Sequence, residues 1–154
     1  MEIRTEPCEE HHVDQIMESL HPGNIAEFRA LMGSSDKKVL MKSISLSDEV
    51  YAVIANEEVA AIFGFRELSK LTGIAYPWLV CSKLINEYGI TFLKHFKKMM
   101  KSMQERFNAL ECIIYSENTE VVKMLEWVGF KILDEVYPGV DDSAKFYKMV
   151  WVKR

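Results

Sequence analysis

Residues 116–130 read SENTEVVKMLEWVGF, and they combine signals for a strand end, a helix and a second strand. Asn118 is placed to cap a helix predicted over Thr119 to Val128, because an Asn side chain at that position accepts hydrogen bonds from the first helical N–H groups. Gly129 ends the helix where a Cβ would clash. Phe130 then opens the following strand. The stretch therefore predicts a strand end, a short amphipathic helix and a second strand.

The second half of the chain continues this alternation of strands and helices. The clearest helix has apolar residues at steps of three and four, which marks one buried face. These residues are Ile85, Tyr88, Phe92, Phe96, Met99, Met103 and Phe107. Strands are predicted at Gly73 to Cys81, Leu110 to Tyr115, Phe130 to Tyr137 and Phe146 to Val152. Strands that alternate with helices indicate a central sheet with parallel pairing and helices on its faces.

The first half begins with helices and then changes to strands. A short edge strand is predicted at Glu2 to Thr5, and three helices are predicted to follow it. They cover Glu9 to Leu20, stopped by Pro22-Gly23; Ile25 to Met32, ended by Gly33; and a third that begins after the N-cap candidates Ser34, Ser35 and Asp36. Two β-type runs, Val50 to Ala55 and Val59 to Phe65, form a predicted hairpin around Asn56-Glu57-Glu58.

The predicted element order is β–α–α–α–β–β–β–α–β–α–β–β. This is an α/β fold with a mixed central sheet and helices on both faces. The 154 residues fit one domain, 1–154, and no internal repeat or Gly/Ser/Pro-rich linker divides them.

Composition narrows the class of protein. A hydrophobic content of 49% suits a packed globule, and a net charge of -4 is unlike the basic charge of a general nucleic-acid or membrane-surface binder. The three cysteines are odd in number and widely spaced, so neither a disulfide framework nor a zinc or other metal site is predicted. The polar, acidic N-terminus and the lack of a long apolar stretch predict a chain that is neither secreted nor membrane-spanning.

The stretch Ser116 to Phe130 resembles the last conserved motif of the GNAT N-acetyltransferase superfamily: a strand end, an Asn, an amphipathic helix and Gly-Phe. The spacing from Asn118 to Gly129-Phe130 fits that motif without a gap. The order of the preceding elements is also similar, so the resemblance covers nearly the whole chain. It implies a GNAT-like fold.

The resemblance also implies where a cofactor would lie. In GNAT proteins the fourth and fifth strands separate, and the pantetheine of acetyl-CoA pairs with the fourth strand like an extra strand. Leu79, Val80 and Cys81 would offer that edge here, and Asn118 would present its amide to the ligand. The wedge could instead hold a different ligand or be filled by side chains.

A second resemblance is to a family of GNAT-like internal virion proteins of short-tailed bacteriophages. It rests on Pro77-Trp78-Leu79 in the fourth strand, on a following helix without a glycine loop, and on Leu125-Glu126-Trp127-Val128-Gly129-Phe130. This resemblance implies other phage or virion proteins as partners, with a homo-oligomer left open. It places the chain in the host cytoplasm or the virion interior.

The residues that perform acetyl transfer in GNAT enzymes are largely replaced. Tyr88 and Ile90 occupy the two glycine positions of the phosphate-binding loop, with Gly89 between them, and Glu87 adds a negative charge where phosphates would lie. Leu125 occupies the position of the tyrosine that protonates the departing thiolate. The catalytic residues are therefore unknown, and no cofactor is expected unless the chain is active, in which case it is acetyl-CoA.

Three residues near predicted strand ends remain as candidates for acid–base chemistry. Glu67 and Glu117 could act as general bases, and Tyr115 could replace the missing acid. The alternatives are two exposed surface glutamates and a half-buried strand tyrosine, which are common in any α/β protein.

The lysines of the long helix allow two interpretations. Four lysines form a stripe opposite the apolar face of the long helix: Lys94, Lys97, Lys98 and Lys101. The stripe is either a solvated helix face or a contact for an anionic partner. No clear nucleic-acid site is predicted.

The histidines and one tryptophan are interpreted in the same way. The histidines His11, His12, His21 and His95 are predicted to lie at the surface. Trp127 either marks a contact with another chain or is partly buried near Trp151.

Three functions follow from these observations. The first is a non-catalytic virion-associated or assembly protein of a bacteriophage, built on an acyltransferase scaffold. The second is an acetyl-CoA-dependent N-acetyltransferase with a divergent cofactor loop. The third is a module that binds another acyl or nucleotide ligand in the wedge.

Overall fold

Seven strands form one mixed sheet that carries helices on both faces. The structure is a computed structural model and describes residues 2–154. The elements are β1 (Ile3–Pro7), α1 (Glu10–Met17), α2 (Pro22–Met32), α3 (Lys37–Ser45), β2 (Glu49–Ala55), β3 (Glu58–Ser69), β4 (Ile74–Cys81), α4 (Ile85–Arg106), β5 (Ala109–Tyr115), α5 (Thr119–Trp127), β6 (Lys131–Val136) and β7 (Phe146–Val152). This order confirms the predicted one.

The strand order in the sheet is β1-β2-β3-β4-β5-β7-β6. All neighbouring strands are antiparallel except β4 and β5, which run parallel. β4 and β5 pair through Ile74 with Ala109 and through Ala75 with Leu110, at the start of both strands. Beyond these pairs the two strands separate, and a wedge opens in the middle of the sheet.

Two hydrophobic clusters cover the two faces of the sheet. Successive residues of a strand point to opposite faces, and Ala52 and Val53 accordingly belong to different clusters. The helices α1, α2 and α3 pack on the Ala52 face, and α4 and α5 pack on the Val53 face. The result is a three-layer arrangement of helices, sheet and helices.

The β2–β3 hairpin forms where it was predicted. Asn56 and Glu57 have φ angles of 50° and 65°, the left-handed pair that a tight two-residue turn between antiparallel strands requires. Farther along β3, Gly64 lies opposite Trp78 of β4. A Cβ on Gly64 would lie 2.5 Å from the Trp78 ring, so the indole occupies the space of the missing side chain.

The α1–α2 boundary differs from the prediction. Pro22-Gly23 does not stop α1, which ends at Met17; it opens α2, with Pro22 in the first turn, where its missing N–H costs nothing. His21 is the N-cap, and its Nδ1 accepts a hydrogen bond of 3.0 Å from the Gly23 N–H.

His12 was predicted at the surface and is instead buried, with 3% of its area exposed. Its Nδ1 accepts a hydrogen bond of 2.9 Å from the Glu9 N–H, and its Nε2 lies 2.8 Å from Glu6 Oε1. Because Nδ1 is an acceptor, Nε2 carries the proton that is donated to Glu6. The histidine therefore ties β1 to the start of α1.

The connection from β4 to α4 is not a glycine-rich loop. Ser82 is fully buried, and its Oγ accepts a hydrogen bond of 3.1 Å from the Leu84 N–H. The first turn of α4 is interrupted at Gly89, whose φ of 35° and ψ of -108° are not helical. The long regular part of α4 therefore begins after Gly89.

Candidate functional site

The wedge between β4 and β5 holds a cavity of about 230 Å³. Its walls come from β4 and β5 and from one face of each of α2 and α5, and most of the lining is apolar. Clefts of this kind with a few convergent polar groups are the usual form of small-molecule sites. The wedge is therefore the candidate functional site.

The far end of the β4 edge is already hydrogen-bonded to the chain itself. The Cys81 N–H donates to Asn24 Oδ1 at 2.9 Å, and the Cys81 C=O accepts from the His21 N–H at 2.9 Å. Two residues on, the Lys83 N–H donates to the Ser19 C=O at 2.8 Å. The segment from Ser19 to Asn24 thus occupies the edge of β4 as an additional strand would.

The predicted edge residues have different positions. Backbone groups of a strand point alternately to its two neighbours, and the Ser82 N–H bonds to Ala60 of β3. Val80 therefore pairs toward β3, and its side chain is buried with α1 and α2. Leu79 directs its N–H and C=O into the wedge, where β5 has separated from β4. Of the predicted edge, Leu79 is the position whose polar groups face the open cavity.

Asn118 lines the cavity, but it does not cap α5 with its side chain as predicted. It occupies the N-cap position with φ of -84° and ψ of 65°. Its amide turns toward α2 instead, and it lies close enough to the carboxyl group of Glu27 to lower the pKa of that group.

Glu27 is a carboxyl group in the lining of the cavity that the sequence did not identify. It lies on α2, and its Oε2 accepts a hydrogen bond of 3.1 Å from the Tyr115 N–H at the end of β5. Removal from solvent raises its pKa to about 7, although the Tyr115 N–H and the nearby Asn118 amide favour the carboxylate. No ion pair to Glu27 forms within residues 2–154.

Tyr76 crosses the wedge from β4 to β5. Its hydroxyl oxygen accepts a hydrogen bond of 3.3 Å from the Ile113 N–H. Burial raises the pKa of this hydroxyl well above its ordinary value. The phenol ring therefore fills part of the gap and satisfies a β5 backbone group that lost its partner when the strands separated.

The predicted general bases lie outside the cavity. Glu67 is near the closed end of the wedge, where its N–H donates to Asp48 Oδ2 at 2.7 Å. Glu117 is exposed, and its carboxylate accepts a hydrogen bond from the Tyr115 hydroxyl, which raises the pKa of that tyrosine. Neither glutamate lines the cavity, so the structure does not bring them to the edge residues.

Leu125 is 5% exposed and lines the cavity beside Met124 and Val121. The wedge face of α5 is thus apolar at the position where the resemblance expects a proton donor. Glu87 and Asn86 are exposed in the first turn of α4.

The two buried cysteines offer no reactive thiolate. Burial raises the pKa of Cys81 and of Cys112 to about 12, so both thiols stay protonated at neutral pH. Within residues 2–154, no three His, Cys, Asp or Glu side chains come together as a metal site. No helix in that range is long and apolar enough to cross a bilayer.

Trp127 is 53% exposed, which agrees with the interpretation that it lies at the surface. The Lys97 ammonium lies 5.0 Å from the centre of its ring. The indole and the lysine stripe therefore belong to one surface, on the side of the sheet away from α1.

Glu27 carries a weak signal in the sequence. Asn24, Glu27, Phe28 and Leu31 share one face of α2, because they are spaced by three, four and seven residues. A face that mixes an amide, a carboxyl and two apolar residues resembles a half-exposed helix. Only the tertiary contact with β5 turns this face inward.

The comparisons with known proteins support the fold. No protein-family model matches the chain, and no curated protein matches it either. Among solved structures, the chain is similar to the ribosomal-protein-S18-alanine N-acetyltransferase from Escherichia coli, with a TM-score of 0.68 and 13% identity over 99% of this chain and 96% of that one. It is also similar to spermidine N-acetyltransferase from Vibrio cholerae in complex with CoA and spermine, with a TM-score of 0.71 and 10% identity over 98% and 95%.

Both similarities span nearly the full length of the two chains being compared. At 10–13% identity they establish the GNAT fold and leave the activity open. The fold predicted from the sequence is confirmed.

Proposed function

We propose that the chain is a non-catalytic GNAT-fold protein of a bacteriophage, associated with the virion or with its assembly. The phage part rests on the sequence resemblance carried by Pro77-Trp78-Leu79 and the Leu125 to Phe130 segment. The non-catalytic part rests on the geometry of the wedge.

The occupied edge at Cys81 carries the proposal. A pantetheine that pairs with β4 needs free backbone N–H and C=O groups, and those of Cys81 are bonded to Asn24 and His21 at 2.9 Å each. Acetyl-CoA would have to displace both bonds. Breaking them leaves polar groups unpaired in a buried setting, which costs about 1–3 kcal/mol for each group.

Two further features also disfavour acetyl transfer. Glu87 places a carboxylate near the position where phosphates would bind, and Leu125 supplies no proton to a departing thiolate. Each feature alone weakens catalysis, and together they remove the cofactor grip and the acid.

Calorimetric titration with acetyl-CoA tests the non-catalytic part. We expect no heat of binding up to about millimolar ligand, a limit equivalent to about 4 kcal/mol of binding free energy. Binding at about micromolar strength would refute the occupied edge as a barrier. The phage part is tested by mass spectrometry of purified particles and of assembly intermediates from the phage that encodes the chain. If the chain is expressed but is found in neither, the phage part is contradicted.

A second candidate function, an N-acetyltransferase with a divergent cofactor loop, is favoured by Glu27. A carboxyl group with a pKa near 7 in a mostly apolar cavity is suited to accept a proton from an amine at neutral pH. The cofactor would be acetyl-CoA, with Leu79 as the free edge residue.

The measurement for this candidate is acetyl transfer to a panel of primary amines by the wild type, Glu27→Gln and Glu117→Gln. If Glu27 is the base, its variant loses about 10²-fold or more in rate. The exposed Glu117 is the matched control and should keep the wild-type rate. Equal rates in all three proteins exclude Glu27 as the base.

A further inference from the structure

Four lysines form a basic stripe along α4. Lys94, Lys97, Lys98 and Lys101 are exposed on α4 and follow one another at helical spacing. They extend over about 10 Å of helix. No carboxylate within residues 2–154 forms an ion pair with any of the four. We call this set the lysine face.

On the opposite side of the sheet, α1 carries a row of carboxylates. Glu10, Asp14 and Glu18 are spaced by four residues along α1 and its C-cap, so they share one face over about 12 Å. The Glu10 and Asp14 side chains are 71% and 58% exposed. Lys37 forms ion pairs with both, at 3.0 Å to Glu10 and 2.6 Å to Asp14. The three carboxylates of α1 together carry more charge than this one ammonium group. We call this set the acidic face.

The two faces point away from each other. α1 buries Val13 and Ile16 against one face of the sheet, and α4 buries Phe92 and Phe96 against the other. The charges therefore cannot neutralise one another within one molecule. A two-fold symmetric contact would bring either face against a copy of itself, which like charges oppose.

From this arrangement we infer that copies of the chain associate head to tail, with the lysine face of one copy against the acidic face of the next. The contact is heterologous, so each added copy presents a new free lysine face and a new free acidic face. This inference goes beyond the proposed function and does not depend on it.

A second copy fits the lysine face better than a nucleic acid does. The net charge of -4 repels a polyanion and a second copy alike at long range, so it does not distinguish the two. A second copy carries a row of carboxylates on α1 of about the same length as the lysine face, so opposite charges can lie against each other at several positions. Trp127 beside Lys97 adds an exposed aromatic group at the border of the face, a residue type enriched at protein interfaces.

Sedimentation velocity of the full chain tests the inference. In about 0.05 M salt we expect the weight-average sedimentation coefficient to rise between about 10 and about 500 µM protein, because exposed charges attract at low ionic strength. In about 0.5 M salt we expect monomer at all of these concentrations. A monomer throughout in low salt overturns the inference.

Charge reversal identifies the two faces. One variant carries Lys97→Glu and Lys101→Glu, and the other carries Glu10→Lys and Glu18→Lys. Each alone should weaken association about tenfold or more, because attraction becomes repulsion at two positions. A 1:1 mixture of the two should associate again, since each face then meets its complement. Circular dichroism melts confirm that both variants fold.

The results for the variants and their mixture show which surface or partner the lysine face contacts. Loss of association in the lysine variant only, with no recovery on mixing, overturns the acidic face as the surface that the lysine face contacts. Binding of a single-stranded oligonucleotide by the wild type, in the absence of self-association, overturns it in favour of a nucleic acid. Recovery on mixing establishes the head-to-tail contact whether or not acetyl-CoA binds.

Discussion

The raised pKa of Glu27 predicts that its ionisation destabilises the folded protein. The folded protein holds this proton up to a pKa of about 7, whereas the unfolded chain releases it at about 4.5. Between these values unfolding releases a proton, so stability falls as pH rises. The contribution is complete below pH 4.5 and is lost above about pH 7.

The magnitude follows from the same two values. Each tenfold change in proton affinity is worth about 1.4 kcal/mol, which gives an upper limit of about 3 kcal/mol. Glu27 keeps part of its area accessible, so solvent screening lowers the expected loss to about 1–3 kcal/mol.

Urea unfolding, followed by circular dichroism from pH 4.5 to pH 8, measures this loss. The comparison is with Glu27→Gln, which cannot ionise but can still accept the Tyr115 N–H. Groups that titrate in both proteins affect both curves equally and cancel in the comparison. Between pH 4.5 and pH 8, the unfolding free energy of the wild type should therefore fall by about 1–3 kcal/mol relative to that of the variant. Parallel curves for the two proteins would refute the burial argument. Glu117→Gln, at an exposed position, should follow the wild type throughout.

Three further predictions concern single residues. Gly64→Ala should lower the unfolding free energy by about 1–3 kcal/mol in a denaturant titration, because its Cβ meets the Trp78 ring, and an unchanged midpoint contradicts that contact. Asn118→Ala should raise the pH of the Glu27 transition, because it removes an amide that lowers the pKa of this carboxyl group; a shift to lower pH in the same unfolding series would exclude this role. Iodoacetamide in the native state at pH 8 should label Cys8 before Cys81 and Cys112, as peptide mass spectrometry can show, because Cys8 is only partly buried; equal labelling of all three would mean that the wedge opens readily.

The element order could be predicted because its signals are local. The spacing of Phe92 and Phe96 marks α4, and the residues Asn56 and Glu57 mark the β2–β3 turn wherever the rest of the chain lies. The same local reasoning failed at Pro22, because a proline can end one helix or begin the next.

The candidate site was predicted only in outline. The resemblance to the GNAT superfamily placed Leu79, Val80 and Cys81 on the β4 edge. The bonds from Asn24 and His21 to Cys81 come from a segment nearly 60 residues earlier. Glu27 was missed for the same reason, because it is the contact with β5 that determines which face of α2 is buried. No pattern within α2 encodes the position of a strand so distant in sequence.

The separation of β4 from β5 also determines how the molecule opens. β1 to β4 form an antiparallel meander, and β5 to β7 form a second antiparallel unit of residues 109–152. Two residue pairs, at Ile74 and Ala75, join these units through the backbone. Amide hydrogens of the two units are therefore protected by separate ladders, and we expect hydrogen exchange to divide the sheet into two cooperative units whose boundary runs along the wedge.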